Sequence, residues 1–309
     1  MEPLRAPDPV RCSPLQGDPM RALITGISGF IGGHLYASAP PGGEIWGTYL
    51  NADPGPDAAR ALRLDLRDAF ALEAAVAGLR PDLIIHAAAW SRVAFCEAHP
   101  AAAREVNTGV TATLAQICRR RRLRLIFLSS DMVFDGEKGH FGETDEPRPL
   151  NLYGRTKLAA ERFVAELREL GVIVRLNLVY GPPRYGGSSF SEEVIRTVRA
   201  GRPYSLFADQ RRSFLSVQNL AACLWEIARG DFSGLIHLGG SEPADRVVFA
   251  RKLAQRMGLD PTLLIPSSTS AASPAVRYPR DNTFNLALAR RILKTPLLNL
   301  DDGLALEYP

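Results

Sequence analysis

Short apolar runs alternate with amphipathic segments along the first half of the chain. Continuous apolar runs are typical of buried strands, and apolar residues three and four positions apart are typical of helices. The pattern predicts strands at 22–25, 45–50, 62–64, 83–87, 125–129 and 172–176. It predicts helices between them at 30–39, 69–79, 101–120 and 152–170. Because buried parallel strands alternate with covering helices in this way, we predict an α/β fold with a doubly wound, Rossmann-type parallel sheet.

The pattern changes after residue 177, where glycine and proline clusters introduce helices, short strands and a Pro/Ser-rich connection at 266–274. We predict a Rossmann domain at 20–176 and a smaller, mainly substrate-binding α/β domain at 177–309. Part of 213–231 is expected to pack back on the Rossmann domain. Residues 1–19 are rich in proline and charge and lack periodicity, which predicts a disordered leader.

The chain of 309 residues is 46% hydrophobic and 23% charged, with a net charge of +4. This mild basicity suits an anionic small molecule and is too weak to indicate nucleic acid. Cys12, Cys96, Cys118 and Cys223 show no paired spacing, and the five histidines show no metal-ligand spacing, so neither a disulfide framework nor a metal site is expected. Without a transmembrane or signal segment, we expect a cytoplasmic protein with no membrane partner.

A glycine-rich loop, TGISGFIG at 25–32, follows the first predicted strand and opens the first predicted helix. Glycine permits a tight turn and lets the backbone approach a pyrophosphate, whose charge then lies at a helix N-terminus. A helix that merely packs close to a strand is the alternative, but the strand–loop–helix order favours dinucleotide binding. The predicted cofactor-binding residues here are Gly26, Ser28, Gly29, Phe30, Ile31 and Gly32.

The TGxxGxxG spacing of this loop resembles the extended short-chain dehydrogenase/reductase family. The second strand ends at Asn51 without the carboxylate that holds the ribose hydroxyls in NAD enzymes, so we predict NADP(H) in preference to NAD(H), with Arg60 as the nearest cation. The resemblance implies further cofactor contacts at Asn51, Asp65, Leu66, Ala87, Ala88, Ala89 and Asn107. Core packing equally explains the alanines, and a backbone-bonding structural role equally explains Asn107.

Tyr153 and Lys157 lie four residues apart, on one face of a predicted helix. Hydride transfer to a carbonyl leaves a developing alkoxide, which needs a proton donor. A tyrosine can donate this proton if an adjacent cation lowers its pKa from about 10. The resemblance implies that Lys157 also holds the nicotinamide ribose and that Ser130 binds the substrate oxygen rather than capping a turn. The predicted catalytic residues, with no metal, are Ser130, Tyr153 and Lys157.

Within this family the chain most resembles the dTDP-4-dehydrorhamnose reductase group, at 81–89, 129–134 and 149–157. It departs from the group at Met132, where tyrosine is usual, and at Leu178, where tryptophan is usual. Both positions lie near the sugar in that group, which leaves a different 4-keto substrate open. Met132 also disfavours nucleotide-sugar 4,6-dehydratases, which have an acid/base glutamate there.

The expected function is therefore the NAD(P)H-dependent reduction of a keto group on a nucleotide-activated deoxysugar. The expected assembly is a homodimer. An epimerase is one alternative. A non-catalytic NADP-binding subunit, like the β subunit of methionine adenosyltransferase, is another. Arg212 is either a substrate-phosphate contact or a surface arginine. The expected substrate-binding residues are Trp90, Ser130, Asp131, Met132, Tyr153, Leu178 and Arg212.

Overall fold

Strands and helices alternate through a computed structural model that describes residues 20–55, 58–269 and 276–309. The predicted leader at 1–19 and part of the 266–274 connection lie outside the described residues. The strands are β1 (Arg21–Thr25), β2 (Glu44–Tyr49), β3 (Ala61–Arg63), β4 (Leu83–His86), β5 (Arg124–Ser130), β6 (Gly171–Leu176), β7 (Val179–Tyr180), β8 (Tyr204–Phe207), β9 (Arg211–Arg212), β10 (Leu215–Ser216), β11 (Gly234–Leu238), β12 (Ala244–Asp245) and β13 (Leu264–Ser267).

The helices cover the sheet and build a second layer of structure beyond it. They are α1 (Phe30–Ala37), α2 (Ala69–Leu79), α3 (Val93–Ala98), α4 (Pro100–Arg104), α5 (Val110–Arg121), α6 (Leu152–Ala165), α7 (Phe190–Arg199), α8 (Val217–Arg229), α9 (Arg246–Met257), α10 (Ala287–Ile292) and α11 (Leu300–Glu307). No helix in the described part of the chain is both long enough and apolar enough to pass through a membrane.

The central sheet has seven parallel strands in the order β11-β6-β5-β4-β1-β2-β3. The strand order reverses between β1 and β4, which is where doubly wound sheets bind ligands at their carboxyl ends. Thr25 and His86 end these two strands and are paired in register. The predicted α/β fold with a doubly wound parallel sheet is confirmed.

The sheet is buried on both faces, which explains why its strands are continuously apolar. Ile24 faces the layer that contains α1 and α8, where Leu35 and Leu224 pack. Leu23 faces the opposite layer, where α5 and α6 contribute Leu114 and Ala160. Both α8 and β11 come from the second half of the chain and complete the central layer.

The remaining strands form three short ladders, β7 with β10, β9 with β12 and β8 with β13. They surround an aromatic core in which the rings of Phe214 and Phe249 stack at 4.4 Å and Tyr180 contacts Phe249 at 4.9 Å. This second core follows the carboxyl end of β6 in the chain. It brings the segment 204–212 and the segment 277–284 to the end of β5.

Candidate active site

The glycine loop makes a tight connection from β1 to α1. Gly26 has a φ of 76°, and a Cβ there would lie 2.9 Å from the Ala88 Cα. A Cβ on Gly32 would collide with the carbonyl oxygen of Gly26, so the helix can start this close to the strand only without a side chain. Gly29 precedes α1 and provides no side-chain cap, which leaves first-turn amides for another acceptor.

A cavity of about 450 Å³ opens beside this loop, at the reversal of the strand order. It brings together most of the predicted cofactor-binding residues. Those that line it are Gly26, Ser28, Gly29, Asn51, Asp65, Leu66, Ala87, Ala88 and Ala89, and Trp90 joins them. Phe30, Ile31 and Gly32 begin α1 and are not part of this lining. The pocket therefore runs from the glycine loop to the ends of β2 and β3.

Two arginines other than Arg60 lie near the ends of β2 and β3. Arg67 donates to both carboxylate oxygens of Asp65, at 3.0 and 2.6 Å, and this hydrogen bonding holds the pKa of Asp65 below its usual value. Arg63 donates from Nε to the Leu50 carbonyl at 3.2 Å, directly before Asn51. Arg60, the cation favoured by the sequence, instead lies over the Trp46 ring at 5.9 Å.

Asn107 lies in a π-helical turn, Glu105–Gly109, that links α4 to α5 within the predicted 101–120 helix. Its Oδ1 accepts from the Trp90 amide at 2.8 Å. Its Nδ2 donates to the Trp90 carbonyl at 3.0 Å and to the Thr156 hydroxyl at 3.1 Å. The structure therefore gives Asn107 the backbone-bonding role: it fastens the loop after β4 to α6, and it does not line the cavity.

Ser130 and Tyr153 meet at the carboxyl end of β5, where the Ser130 hydroxyl lies close enough to the Tyr153 phenol to oppose the rise of its pKa. Asn151 caps α6 by accepting from the Gly154 amide at 2.9 Å, which places Tyr153 in the first turn. Gly154 packs so closely on the Met132 carbonyl that a Cβ there would collide with it. This absence of a side chain allows α6 to approach the end of β5.

Ser130 also caps the short 3-10 turn Asp131–Val133, because its Oγ accepts from the Met132 amide at 3.2 Å. The same hydroxyl lies 3.1 Å from Asp131 Oδ1, to which it donates. The expectation that Ser130 is not a cap is therefore wrong. A hydroxyl has one proton and two lone pairs, so Ser130 can cap the turn and still accept a hydrogen bond from another group.

The electrostatic state of Tyr153 differs from the expectation. Burial raises the pKa of Tyr153, the nearby Ser130 hydroxyl opposes this shift, and the charge of Asp131 adds to it. The expected lowering by Lys157 is wrong for this structure. Lys157 is buried, and its Nζ lies 4.1 Å from the centre of the Phe127 ring. Burial lowers the pKa of Lys157 to about 7, and the charge of Glu161 partly opposes that shift.

A buried polar network that the sequence analysis missed lies beneath these residues. Arg175 on β6 donates to both carboxylate oxygens of Glu161, at 2.9 and 2.7 Å, and Ser129 donates to the same carboxylate at 2.6 Å. His86 bridges Thr25 and Thr111, at 2.7 and 3.2 Å, and burial lowers the pKa of His86 to about 3. The signal available in the sequence was Glu161, one helical turn beyond Lys157.

The predicted substrate residues surround the Ser130–Tyr153 pair. Trp90 packs with Tyr153 and meets the Phe95 ring at 4.3 Å. The Met132 sulfur accepts from Asn151 Nδ2 at 3.8 Å. Leu178 packs against the second hydrophobic core.

Arg212 is fully buried, so the surface-arginine alternative is wrong. Its Nε lies 3.1 Å from Asp131 Oδ2, and its other nitrogens donate to the carbonyls of Arg211, Pro279 and Arg280. Burial raises the pKa of Asp131, and the charge of Arg212 opposes this shift. The pair connects the end of β5 to the second core. Across residues 20–55, 58–269 and 276–309, no cluster of His, Cys, Asp or Glu is suited to a metal ion.

The doubly wound sheet, the TGxxGxxG loop and the Ser130, Tyr153 and Lys157 set define an extended short-chain dehydrogenase/reductase fold. The model of the RmlD substrate binding domain family matches residues 20–306, and the chain belongs to this family. The predicted resemblance to the dTDP-4-dehydrorhamnose reductase group is therefore confirmed.

Two reductases are similar over nearly the whole chain. The probable low-salt glycan biosynthesis reductase Agl14 of Haloferax volcanii is 30% identical over 93% of this chain and 96% of that protein. The dTDP-4-keto-6-deoxy-D-glucose reductase of Streptomyces niveus is 30% identical over 94% of this chain and 96% of that protein. Methionine adenosyltransferase 2 subunit beta of Xenopus laevis is 31% identical over 80% of this chain and 75% of that protein.

Among solved structures, dTDP-4-dehydrorhamnose reductase from Bacillus anthracis in complex with NADP matches with a TM-score of 0.83. The match covers 94% of this chain and 99% of that chain at 24% identity, and it shows the shared fold.

Proposed function

We propose that the chain is an NAD(P)H-dependent reductase, of the EC 1.1.1 type, that converts the keto group of a nucleotide-activated sugar to an alcohol. The observation that carries this proposal is the neighbouring Ser130 and Tyr153 hydroxyls at the carboxyl end of β5, with Asn151 capping α6 so that Tyr153 lies in its first turn. The pair adjoins the glycine-loop cavity through Trp90, which lines that cavity and packs with Tyr153. The two reductases among the relatives match nearly the whole length of this chain and of their own, which supports the same reaction class.

The glycine-loop cavity fits a dinucleotide. A pyrophosphate needs close approach of the backbone, which Gly26 permits, and free amides at a helix N-terminus, which the uncapped α1 supplies. The Bacillus anthracis neighbour was solved with NADP. The residues that would hold the cofactor are those of the glycine loop together with the cavity lining at the ends of β2, β3 and β4.

When bound, the nicotinamide supplies the hydride. Ser130 holds the keto oxygen next to Tyr153, whose raised pKa keeps it protonated and ready to donate to the developing alkoxide. Lys157 lies one helical turn beyond Tyr153 on α6. Because the pKa of Lys157 is about 7, a negatively charged ligand nearby increases its protonated fraction.

The proposal is tested by incubating the protein with a panel of nucleotide-linked 4-keto sugars and following the ultraviolet absorbance of NADPH. Stoichiometric oxidation of NADPH is the expected result. Tyr153→Phe should abolish turnover and leave NADPH binding intact, whereas Tyr36→Phe, on the outer helix α1, should retain activity. Full activity of the Tyr153→Phe variant would show that the proton comes from elsewhere.

The same assay separates the reductase from its two rivals. An epimerase changes the sugar without net NADPH consumption. A regulatory subunit, which the similarity to methionine adenosyltransferase subunit beta keeps in view, binds the cofactor and turns over no sugar. The presence of Ser130, Tyr153 and Lys157, with Ser130 beside Tyr153, favours catalysis over that role. Homodimeric assembly and a cytoplasmic location stay predictions.

A preference for NADPH over NADH belongs to the same proposal. Asn51 stands at the end of β2 in place of a carboxylate, and Arg63 directs its guanidinium to the Leu50 carbonyl beside it. A 2′-phosphate at the end of β2 would find this cation in place of a repelling acid. In Arg63→Gln, the KM for NADPH should rise about tenfold while the KM for NADH stays the same. Equal changes for both cofactors would show that Arg63 does not select the phosphate.

A further inference from the structure

A group of polar side chains extends from Asp131 into the second core. We call Asp131, Gln210, Arg212 and Arg246 the Arg246 cluster; the first three are buried and Arg246 is partly buried. Asp131 and Arg212 form an ion pair at 3.1 Å. Within the described ranges of the chain, the side-chain amide of Gln210 and the Nε of Arg246 are buried and have no hydrogen-bond partner. Buried polar groups are almost always paired, so two neighbouring exceptions need a physical reason.

Gln210 and Arg246 lie together because of strand pairing. β9 and β12 are antiparallel, with Arg212 opposite Ala244 and Arg211 opposite Asp245. Gln210 and Arg246 flank this short ladder, since Gln210 directly precedes β9 and Arg246 directly follows β12. Gln210 is completely buried, and both its oxygen and its nitrogen lack a partner among the residues described. Unpaired donors and an acceptor therefore remain at the same end of the ladder.

Aromatic rings hold the Arg246 side chain in position. Its guanidinium lies over the Phe190 ring at 4.8 Å and over the Phe207 ring at 6.0 Å, and the Tyr278 ring meets Phe207 at 6.0 Å. Ring faces attract a cation but accept none of the in-plane hydrogen bonds of a guanidinium. In the described part of the chain, Arg246 forms no ion pair within 4.0 Å.

The cluster carries excess positive charge, since two guanidinium groups face one carboxylate. Burial, followed by the charge of Arg212, lowers the pKa of Arg246 to about 10, so Arg246 is still charged at neutral pH. The charges of Asp131 and Arg246 act on each other, and Asp131 directly follows Ser130. The excess charge thus lies next to the hydroxyl pair, on the side of the second core.

We propose that Arg246, assisted by Gln210, binds the anionic group of the substrate, namely the diphosphate that joins sugar and nucleoside. A guanidinium is suited to this contact because its planar donors match two phosphate oxygens. This inference rests on the proposed function. If the keto group lies at Ser130 and Tyr153, the diphosphate of the same substrate lies next to it, on the side that faces the second core. A sugar carboxylate offers the same charge and is the alternative source of the anion.

The test is calorimetric titration of the full-length protein, saturated with NADPH, with dTDP, UDP and glucuronate as probes. Arg246→Met keeps the side-chain length and the aromatic contacts, and it should weaken diphosphate binding at least tenfold. Arg246→Lys should weaken it less, because the charge remains. Arg251→Met, an exposed position on the same helix, is the matched control and should bind like the wild type. Thermal unfolding and NADPH affinity show that each variant is folded.

Unchanged binding of dTDP and UDP by Arg246→Met overturns the inference, as does binding of glucuronate in preference to both diphosphates. If Arg246→Met does not fold, Gln210→Met supplies the second test. A severalfold loss of diphosphate affinity supports the inference, and no loss overturns it. Turnover by the wild type is measured separately. If the wild type reduces keto sugars and Arg246→Met has an unchanged KM for them, the anion site alone is refuted. If the protein binds the diphosphates but reduces no keto sugar, the proposed function alone is refuted.

Discussion

The carboxylate of Glu161 is buried beneath the active site and is matched by one cation. Arg175 contacts both of its oxygens, and the two side chains are only 4–5% exposed. Glu161→Gln keeps the shape but removes the charge, so that the guanidinium of Arg175 is left buried without a counter-ion. Loss of one partner from such a pair costs about 3–5 kcal/mol. Ser129 also loses a charged acceptor, so we expect the free energy of unfolding to fall by about 3 kcal/mol or more.

Urea denaturation, followed by circular dichroism and by tryptophan fluorescence, measures this loss. The matched control is Glu146→Gln, because Glu146 pairs with Arg148 at the same distance of 2.7 Å while both side chains are more than two-thirds exposed. That change should cost less than about 0.5 kcal/mol. The double variant Glu161→Gln, Arg175→Met removes both charges and should regain part of the stability. A loss for Glu161→Gln no larger than the control would refute the reasoning.

Two further changes test the site. The pKa of Lys157 is about 7 in the folded protein and 10.5 in its ordinary environment. Between these pH values the unfolded chain carries a proton on Lys157 that the folded protein has lost, so the free energy of unfolding increases as the pH rises. Lys157→Met should therefore gain less stability from pH 7 to pH 9 than the wild type, by about 1 kcal/mol or more in denaturation, and parallel pH curves would contradict this. Gly154→Ala should lose activity, and its free energy of unfolding should fall by about 2 kcal/mol or more, because the added Cβ collides with the Met132 carbonyl. Gly78→Ala is the control: it lies in α2 with open space around it, and its free energy of unfolding should rise by up to about 1 kcal/mol. Equal stability of the two alanine variants would contradict the contact.

The sequence predicted the central sheet well because its strands are buried on both faces and leave a plain apolar signal. The strands predicted at 22–25 and 125–129 differ from β1 and β5 by at most one residue at each end. The glycine loop was also predictable, since its spacing depends on local backbone needs. The seventh strand, β11, was not assigned, because only tertiary pairing with β6 identifies so short a run.

Properties that depend on burial were not predictable. The pKa of Tyr153 was expected to fall because Lys157 is one turn away, but spacing along a helix does not say how much solvent each group loses. Arg63 and Arg246 were missed for a similar reason. Arg63 lies only three residues beyond Arg60, but the pairing of β3 with β2 is what brings its guanidinium to the Leu50 carbonyl, while Arg60 lies over Trp46. Arg246 follows a ladder of β9 with β12, whose strands are distant in sequence.

The contact between Gly154 and the Met132 carbonyl fixes the distance between α6 and the end of β5. Ser130 caps the turn that contains this carbonyl, and Tyr153 lies in the first turn of α6 beside Gly154. The backbones that carry the two hydroxyls are therefore in direct contact, so a motion that displaces one segment displaces the other. Variation in the surrounding side chains, Met132 among them, can then change the shape of the site without moving these two backbone segments apart.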